Sequence, residues 1–253
     1  MKAILRYLDH SGFSVETGSA LLVFDYYNNQ GERPEPDCGV INGRALVGYD
    51  RVAVFVSHSH GDHFNPVIYE WSASRLKTDY FLSFEIPEQY TGIRMSPGDV
   101  KASGDMTVRA YGSTDIGVSF LVEIDGLRIF HAGDLNWWHW RDEEDTTSAW
   151  LAEAEALFYK EMEPIIEEAK RKPFDIAFFP VDPRLKTLFD AGANYFIHSV
   201  KPRIFVPMHT WGADELVHSF ARKTKQRGVT IVPITERGGT YTYEKEDVPC
   251  ISE

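Results

Sequence analysis

Three histidines and an aspartate follow directly on one short apolar run of this chain. Residues 52–57 are apolar or small over the length of a strand, and His58-Ser59-His60-Gly61-Asp62-His63 comes next. A continuous apolar run of this length is typical of a strand that is buried on both faces. The chain is therefore expected to build a sheet covered on both sides, with a polar, histidine-rich loop directly after its buried strand.

The order of the other sequence patterns indicates one α/β domain over residues 1–253. Strands dominate the first half, as short apolar or alternating runs separated by turn residues. They are predicted at residues 3–8, 13–16, 21–25, 79–84, 107–111, 118–124 and 127–131. In the second half, helices at 146–171 (with a kink or a break at Pro164) and 214–227 alternate with strands at 176–179, 203–206 and 230–234. No linker divides the chain, so we expect helices to cover a pair of sheets.

Composition and charge narrow the possible function classes. Of the 253 residues, 26 are Lys or Arg and 38 are Asp or Glu, and the resulting formal charge of −12 disfavours a broad surface for nucleic acid. Two cysteines, Cys38 and Cys250, are too few for a disulfide framework and fit a reducing compartment. No secretory h-region follows the first residues, and the apolar runs are too short to span a bilayer. We therefore predict a cytoplasmic protein without a nucleic-acid or membrane partner.

The loop after the buried strand has the composition of a metal site. His58 and His60 are two residues apart, so in an extended loop both imidazoles can point the same way. Asp62 and His63 come where the chain turns, before Asn65-Pro66 supplies an N-cap and a first helical position. Three imidazoles and a carboxylate in one turn are good ligands for a borderline divalent ion. This spacing predicts a metal site rather than a solvated polar loop.

Three segments together resemble the metallo-β-lactamase superfamily. His58-x-His60-x-Asp62-His63 looks like its signature, and Asp134 in His131-Ala132-Gly133-Asp134 and His209 in Val206-Pro207-Met208-His209 follow in the family's order. The resemblance starts at His10-Ser11-Gly12-Phe13 and is closer to the L-ascorbate-6-phosphate lactonase-like metal-dependent hydrolases than to antibiotic-degrading enzymes. It implies an αββα four-layer sandwich of the α/β class, with the metal site at one edge between the sheets.

The resemblance also implies a ligand set for one or two divalent ions, with zinc favoured and manganese, iron or nickel as alternatives. Six side chains carry over to this sequence. His58 and His60 would hold an ion at a first metal position, Asp62, His63 and His209 would hold one at a second metal position, and Asp134 would bridge the two.

One position departs from the family's pattern. Where the family usually places a third histidine of the first position, this chain has Ser113, in Gly112-Ser113-Thr114-Asp115. A neutral hydroxyl is a weaker zinc ligand than imidazole. Three outcomes are open: Asp115 substitutes as an oxygen ligand, the site prefers a harder ion such as manganese, or only one ion binds well. We favour a first position that is occupied but altered.

The resemblance implies a hydrolase in which a divalent ion acidifies water and polarises a small-molecule substrate. A lactone or ester is favoured and a phosphodiester comes next. Besides coordinating the ion, Asp62 is the candidate for accepting the nucleophile's proton, and Asp134 is the second candidate catalytic residue.

A nuclease of this fold is disfavoured by the net negative charge, and because nucleases of this fold usually add a further domain. The alternative from another class is a metal-binding regulatory or scaffold protein whose first position has decayed at Ser113; related lactonases assemble, so a homo-oligomer is possible.

Residues next to the ligand set are candidates for a substrate pocket. Trp137 begins Trp137-Trp138-His139-Trp140, three residues after Asp134, so we favour a pocket wall for Trp137 over a packed aromatic patch and leave the other two indoles open. Trp211 is a similar case beyond His209. Asp182 and Arg184 follow a buried strand, where the site loops of α/β folds gather, and are candidate substrate contacts.

Three further polar residues have structural interpretations. Asp25 follows an apolar strand and is either a residue of the turn or a partner that orients a ligand histidine. His10 and His131 occupy places where related hydrolases carry a histidine near the metal but not on it. We expect both to be hydrogen-bonded structural histidines.

Overall fold

The computed structural model describes residues 1–33, 35–74, 78–144, 146–224 and 228–245, which form two seven-stranded sheets with flanking helices. Strands are numbered in chain order. The first sheet contains β1 (Lys2–Asp9), β2 (Gly12–Glu16), β3 (Leu21–Phe24), β4 (Val52–Val56), β5 (Thr78–Ser83), β6 (Ile93–Met95) and β14 (Thr240–Glu244). The second contains β7 (Val100–Ser103), β8 (Met106–Tyr111), β9 (Ser119–Ile124), β10 (Leu127–His131), β11 (Ile176–Pro180), β12 (Ile204–Met208) and β13 (Thr230–Ile231). The helices are α1 (Ser148–Arg171), α2 (Ala191–Val200) and α3 (Asp214–Thr224), with 3₁₀ helices at Pro36–Cys38, Pro66–Ser74 and Pro183–Leu188.

Each sheet has an antiparallel half and a parallel half. In the order β14-β1-β2-β3-β4-β5-β6, the first three pairings are antiparallel and the last three are parallel. The order β13-β12-β11-β10-β9-β8-β7 starts with three parallel pairings and ends with three antiparallel ones. Parallel strands end at the same edge of a sheet, so the loops after β3, β4, β10, β11 and β12 can meet there.

Alternation along the strands divides the core into two parts. On β3, Leu22 and Phe24 belong to the cluster between the sheets, whereas Leu21 and Val23 pack into a second cluster on the outer face. That outer cluster includes Ile68 of the 3₁₀ helix Pro66–Ser74, and α1, α2 and α3 pack on the second sheet. The expected αββα sandwich is thus confirmed, although in the described part of the chain a 3₁₀ helix, rather than an α-helix, covers the first sheet.

The helices differ in detail from the sequence prediction. α1 begins at Ser148, where the Thr147 hydroxyl accepts the backbone N–H of Trp150 at 3.2 Å, and it continues through Pro164 to Arg171. The helix survives the proline because its buried face, which includes Met162 and Ile165, packs on the sheet. α2 was not predicted, α3 ends at Thr224, and the last predicted residues of that helix lie outside the described residues. No described helix is both long enough and apolar enough to cross a membrane.

Candidate metal centre

The buried carboxylate of Asp25, directly after β3, organises the loop that follows β4. Its Oδ1 accepts the backbone N–H of Ser57 at 2.8 Å, and its Oδ2 accepts the Ser57 hydroxyl at 2.6 Å. The same Oδ2 lies 2.8 Å from Nδ1 of His63. Nδ1 of His63 donates its proton to Asp25, and the other ring nitrogen, Nε2, therefore points away from Asp25. Of the two roles left open by the sequence, Asp25 therefore has the positioning one.

Two glycines allow neighbouring loops to close on the end of β4. Gly117 has a φ of 86°, and a Cβ there would collide with the carbonyl oxygen of Ser57. Gly133 has a φ of 54°, and a Cβ there would lie 2.7 Å from Cβ of Ser57. Both positions need a left-handed backbone without a side chain. Their close approach brings the loops that carry Asp115 and Asp134 against the histidine-rich segment.

Asp134 lies between three histidines. Its Oδ1 is 3.0 Å from Nε2 of His63 and 3.3 Å from Nε2 of His209, while its Oδ2 is 3.6 Å from Nε2 of His58. Nε2 of His58, Nε2 of His63 and Oδ1 of Asp134 are buried, and they meet in these ionic contacts without a hydrogen bond of good geometry. Gathering imidazoles and a carboxylate away from water is costly unless their polar atoms are well bound. A divalent cation fits these donors, because each is a good ligand for one.

The potential ligand atoms fall into two groups, each with all atoms within 4.8 Å of one another. The groups are His58, His60, Asp115 and Asp134 at the first position, and His10, Asp62, His63 and His209 at the second. Nδ1 of His60 lies 3.4 Å from Asp115, which brings this carboxylate into the first group. Ser113 is not in the group; its hydroxyl is 3.4 Å from the backbone N–H of Asp115, which donates to it.

Charge compensation governs the protonation of this cluster. Burial opposes the charge on His63, but Asp134 and Asp25 outweigh it and raise the pKa of His63 to about 10. Burial, with the charge of His63, lowers the pKa of His58 to about 4. Burial also opposes the charge on Asp134, yet His63 and His209 hold the pKa of Asp134 well below its usual range. At neutral pH the metal-free cluster thus pairs a protonated His63 with an ionised Asp134.

Binding of Zn²⁺ is expected to release protons, because a histidine ligand must be neutral. With a pKa of about 10 for His63, binding near neutral pH should release at least about one proton per chain, and affinity should rise with pH up to that pKa. Titration calorimetry in buffers of different ionisation enthalpy measures the number released. His63→Gln should lower it, and His218→Gln, at an exposed site, should not. Heats independent of the buffer would contradict the protonated His63.

His209 is positioned by a buried carboxylate of its own. Oδ2 of Asp182 lies 3.0 Å from Nδ1 of His209, and Asp182 is fully buried. Nε of Arg184 donates to both oxygens of Asp182, at 3.0 and 2.9 Å, and Nη2 donates at 2.5 Å. Of the two residues predicted as substrate contacts, Asp182 therefore acts on His209, whereas Arg184 reaches the cavity described next.

A cavity of about 530 Å³ opens beside both groups of ligands. Its floor includes His60, Asp62, Asp115, Asp134 and His209. One wall comes from one face of α1, and the facing wall is aromatic and cationic. The wall residues include Trp150, Ala154 and Leu157 of α1, with Trp138, Trp140 and Arg184 opposite. The candidate metal-binding side chains therefore border a space large enough to hold a small molecule.

The family follows from a comparison with known sequence families. A model of the beta-lactamase superfamily domain matches residues 4–146, more than half of the chain. The chain belongs to this superfamily. The resemblance seen in the sequence is confirmed at this level, and the closer similarity to lactonase-like hydrolases stays a prediction.

Several proteins similar to this chain carry the name metal-dependent hydrolase. A UPF0173 metal-dependent hydrolase of Symbiobacterium thermophilum is 24% identical over 94% of this chain and 99% of its own. One of Pyrococcus abyssi is 25% identical over 82% of this chain and 85% of its own. Igni18, a metallo hydrolase from Ignicoccus hospitalis, superimposes with a TM-score of 0.67 at 16% identity, covering 97% of this chain and 100% of its own. The diiron β-hydroxylase CmlA from Streptomyces venezuelae has a TM-score of 0.57 at 10% identity over 96% of this chain and 54% of its own, so both structures show the shared fold alone.

The tryptophans of this superfamily member are arranged differently from the sequence prediction. Trp137 does not line the cavity; its ring stacks on Phe158 of α1 at a centroid distance of 5.9 Å, because the chain turns this indole toward the core. Trp138 and Trp140 line the cavity instead. Trp211 is 51% exposed, and its ring lies 4.7 Å from the Arg184 guanidinium carbon, which places it beside the aromatic wall.

The two histidines expected to be structural have different surroundings. Nε2 of His131 lies 2.8 Å from the carbonyl oxygen of Ser11, and its Nδ1 accepts the backbone N–H of Gly133 at 3.2 Å. His131 is thus fully hydrogen-bonded, as expected. His10 is not: its buried Nε2 has no hydrogen bond of good geometry, lies 3.3 Å from Oδ2 of Asp62 and belongs to the second group of potential ligands. Sequence reasoning missed this, since its only signal was the position of His10 in the opening motif.

Asp25→Asn is expected to weaken zinc binding about 10–100-fold, as loss of a ligand's hydrogen-bonding partner typically does. The amide retains the shape and can still accept from Ser57, but it removes the charge that fixes Nδ1 of His63 as a donor. Competition with a chromophoric chelator measures the affinity. Asp105→Asn, in an exposed ion pair with Arg51, is the control and should bind like the wild type. Equal affinities in all three proteins would contradict a positioning role for Asp25.

Proposed function

We propose that this protein is a metal-dependent hydrolase that acts on a small molecule. The observation that carries the proposal is the convergence of the buried ligand atoms of His58, His63 and Asp134 beside a cavity. Relatives named metal-dependent hydrolases support the same class. Zinc is favoured as the ion, with manganese, iron or nickel as alternatives, since the donors combine imidazoles with carboxylates.

The proposed ligands follow the two groups. His58, His60 and Asp115 would hold the ion of the first position, Asp62, His63 and His209 that of the second, and Asp134 would bridge them. Asp115 thereby takes the role of the absent histidine, and Ser113 takes none. A divalent ion here supplies Lewis acidity, which lowers the pKa of water and polarises the substrate's oxygen.

Asp62 is the proposed acceptor of the nucleophile's proton. It lines the cavity, and its carboxylate is partly exposed. The imidazole of His10, 3.3 Å away, lowers the pKa of Asp62, so the carboxylate is ionised at neutral pH but is a weaker base than a free carboxylate. Asp134 is more deeply buried and would act by holding the ligands together.

A lactone or ester is the favoured substrate and a phosphodiester the next. Arg184 lines the cavity with its Nε and Nη2 bound to Asp182, which leaves Nη1 for an acidic group of the substrate. The indoles of Trp138 and Trp140 would contact an apolar or planar part of the substrate. The expectations of a cytoplasmic location, a homo-oligomer and no nucleic-acid partner stay predictions.

Arg184→Met should lower kcat/KM for acidic esters on the order of 10–100-fold while changing that for neutral esters much less, since a hydrogen bond to a charged group contributes about 1.5–3 kcal/mol. The readout is the ratio of kcat/KM between an ester with a free carboxylate and its methylated counterpart. An altered position of His209 would affect both esters equally and leave this ratio unchanged. A ratio equal to that of the wild type would contradict substrate binding by Arg184.

The proposed function is tested by metal analysis and a turnover screen. The purified protein is offered zinc, manganese, iron and nickel in turn, then assayed with lactones, esters, phosphodiesters and thioesters. Tight metal binding with turnover that EDTA abolishes is the expected result. Tight binding without turnover of any class would instead favour the regulatory or scaffold protein, and retention of no metal would overturn the metal centre itself.

A further inference from the structure

The backbone of His10 is fixed directly to the metal centre. His10 and Ser11 form the two-residue turn between β1 and β2, and His10 has a φ of 51°, a left-handed conformation that is uncommon for a residue with a side chain. Its N–H donates to the Tyr7 hydroxyl at 2.8 Å, and its carbonyl oxygen accepts the N–H of His209 at 3.2 Å. Strained residues held in this way cluster at functional sites.

The side chain of His10 points its Nε2 at the second group of ligands. The residue is only 5% exposed, and its Nε2 makes no hydrogen bond of good geometry to a described residue but lies 3.3 Å from Oδ2 of Asp62. Its ring centroid is 4.0 Å from that of His209 and 5.7 Å from that of His63. Both ring nitrogens of the structural His131, by contrast, make hydrogen bonds to the backbone. The placement of Nε2 of His10 among the other ligand atoms, in contact with Asp62 but without a hydrogen bond of good geometry, is explained if it binds a cation together with these neighbours.

We propose that His10 is a ligand of the second position, which makes that position closed and leaves the first as the open one. The inference rests on the proposed function, since it assumes that a divalent ion binds here. The three histidines of the second position are buried, and Asp62 and His209 there also border the cavity, whereas the side chains of His60 and Asp115 at the first position are 49% and 37% exposed. Metal sites filled by protein ligands are structural, and sites that keep an open position are catalytic. The second position would therefore retain its ion, and the first would be the one open to exchange and to the substrate.

The test counts imidazoles on the ion that survives partial chelation. Zinc-loaded protein is treated with EDTA until one ion per chain remains, and X-ray absorption spectroscopy then counts its histidine ligands. We expect three in the wild type, from His10, His63 and His209, and two in His10→Asn. Asparagine tolerates the left-handed backbone of this turn but has no imidazole. The affinity of the retained ion should fall at least about 100-fold, more than loss of an outer hydrogen-bonding partner causes.

Controls separate this proposal from its alternatives. His218→Asn, at an exposed site on α3, should keep three imidazoles. If the retained ion of the wild type has only two imidazole ligands, the proposal is overturned whatever the variants do. That count would come from the first position alone, or from the second position without His10. Three imidazoles unchanged in His10→Asn would also overturn it, and His10→Gln replaces this variant if it does not fold. Binding of no zinc at all would instead overturn the proposed function.

Discussion

Asp134→Asn is expected to lower kcat/KM at least about 10³-fold, or about 4 kcal/mol of transition-state stabilisation, and to reduce the zinc bound per chain. Asp134 faces both groups of ligands, with Oδ1 near His63 and His209 and Oδ2 near His58. An amide keeps the shape but has only one oxygen and no charge, so it cannot bridge two ions or balance the protonated imidazoles. Hydrolysis assays with the best substrate and elemental analysis of the purified variant measure both effects.

The control for this variant is Asp50→Asn, at an exposed position away from the cavity, which should retain wild-type activity and zinc content. Circular dichroism would confirm that both variants fold. If Asp134→Asn keeps its zinc and most of its activity, the bridging role is wrong, and the two groups would have to act separately. Loss of activity with full zinc content would instead assign Asp134 to the chemistry alone.

The part of the site that sequence reasoning captured is local. His58, His60, Asp62 and His63 share one loop, so their spacing and the buried strand before them already predict convergence. The sequence could not decide between Ser113 and Asp115, because the choice depends on how the loop packs on Ser57 through Gly117. The spacing of residues along a single sequence gives no information about that packing.

The residues that were missed or misassigned depend on contacts between distant segments. His10 reaches the cluster because its turn hydrogen-bonds to His209, almost two hundred residues away in sequence. Trp137 and Trp138 are adjacent, and only the path of the chain after Asp134 decides which indole faces the core. Edge strand β7 was missed because most of its side chains are exposed, which removes the hydrophobic alternation that predicts a strand, whereas the alternating tyrosines of β14 are a signal that sequence reasoning overlooked.

Arg128→Met is expected to lower the free energy of unfolding by about 3–5 kcal/mol, because it removes the hydrogen bonds that a buried guanidinium makes to two partly buried carboxylates and a carbonyl oxygen. The guanidinium of Arg128, on β10, is almost fully buried; Nε donates to Glu123 at 2.7 Å, and the other nitrogens bind Glu168 and the Lys172 carbonyl near the end of α1. Methionine fills similar volume but makes none of these bonds. The melting temperature should fall by roughly 6–20 °C for a chain of this size.

Lys186→Met is the control, because Lys186 pairs with Glu143 at 3.1 Å and both side chains are about half exposed. An ion pair of that kind contributes at most about 1 kcal/mol, so a similar loss in both variants would contradict the importance of burial at Arg128. Arg128→Met combined with Glu168→Met should recover part of the stability, since the second substitution removes a carboxylate that has lost its Arg128 partner.

Zinc content should stay at the wild-type level in the folded variants. The Arg128 network holds the carboxyl-terminal end of α1, whereas the cavity is formed by Trp150 and Leu157 in its first half, so stability and metal binding can change independently.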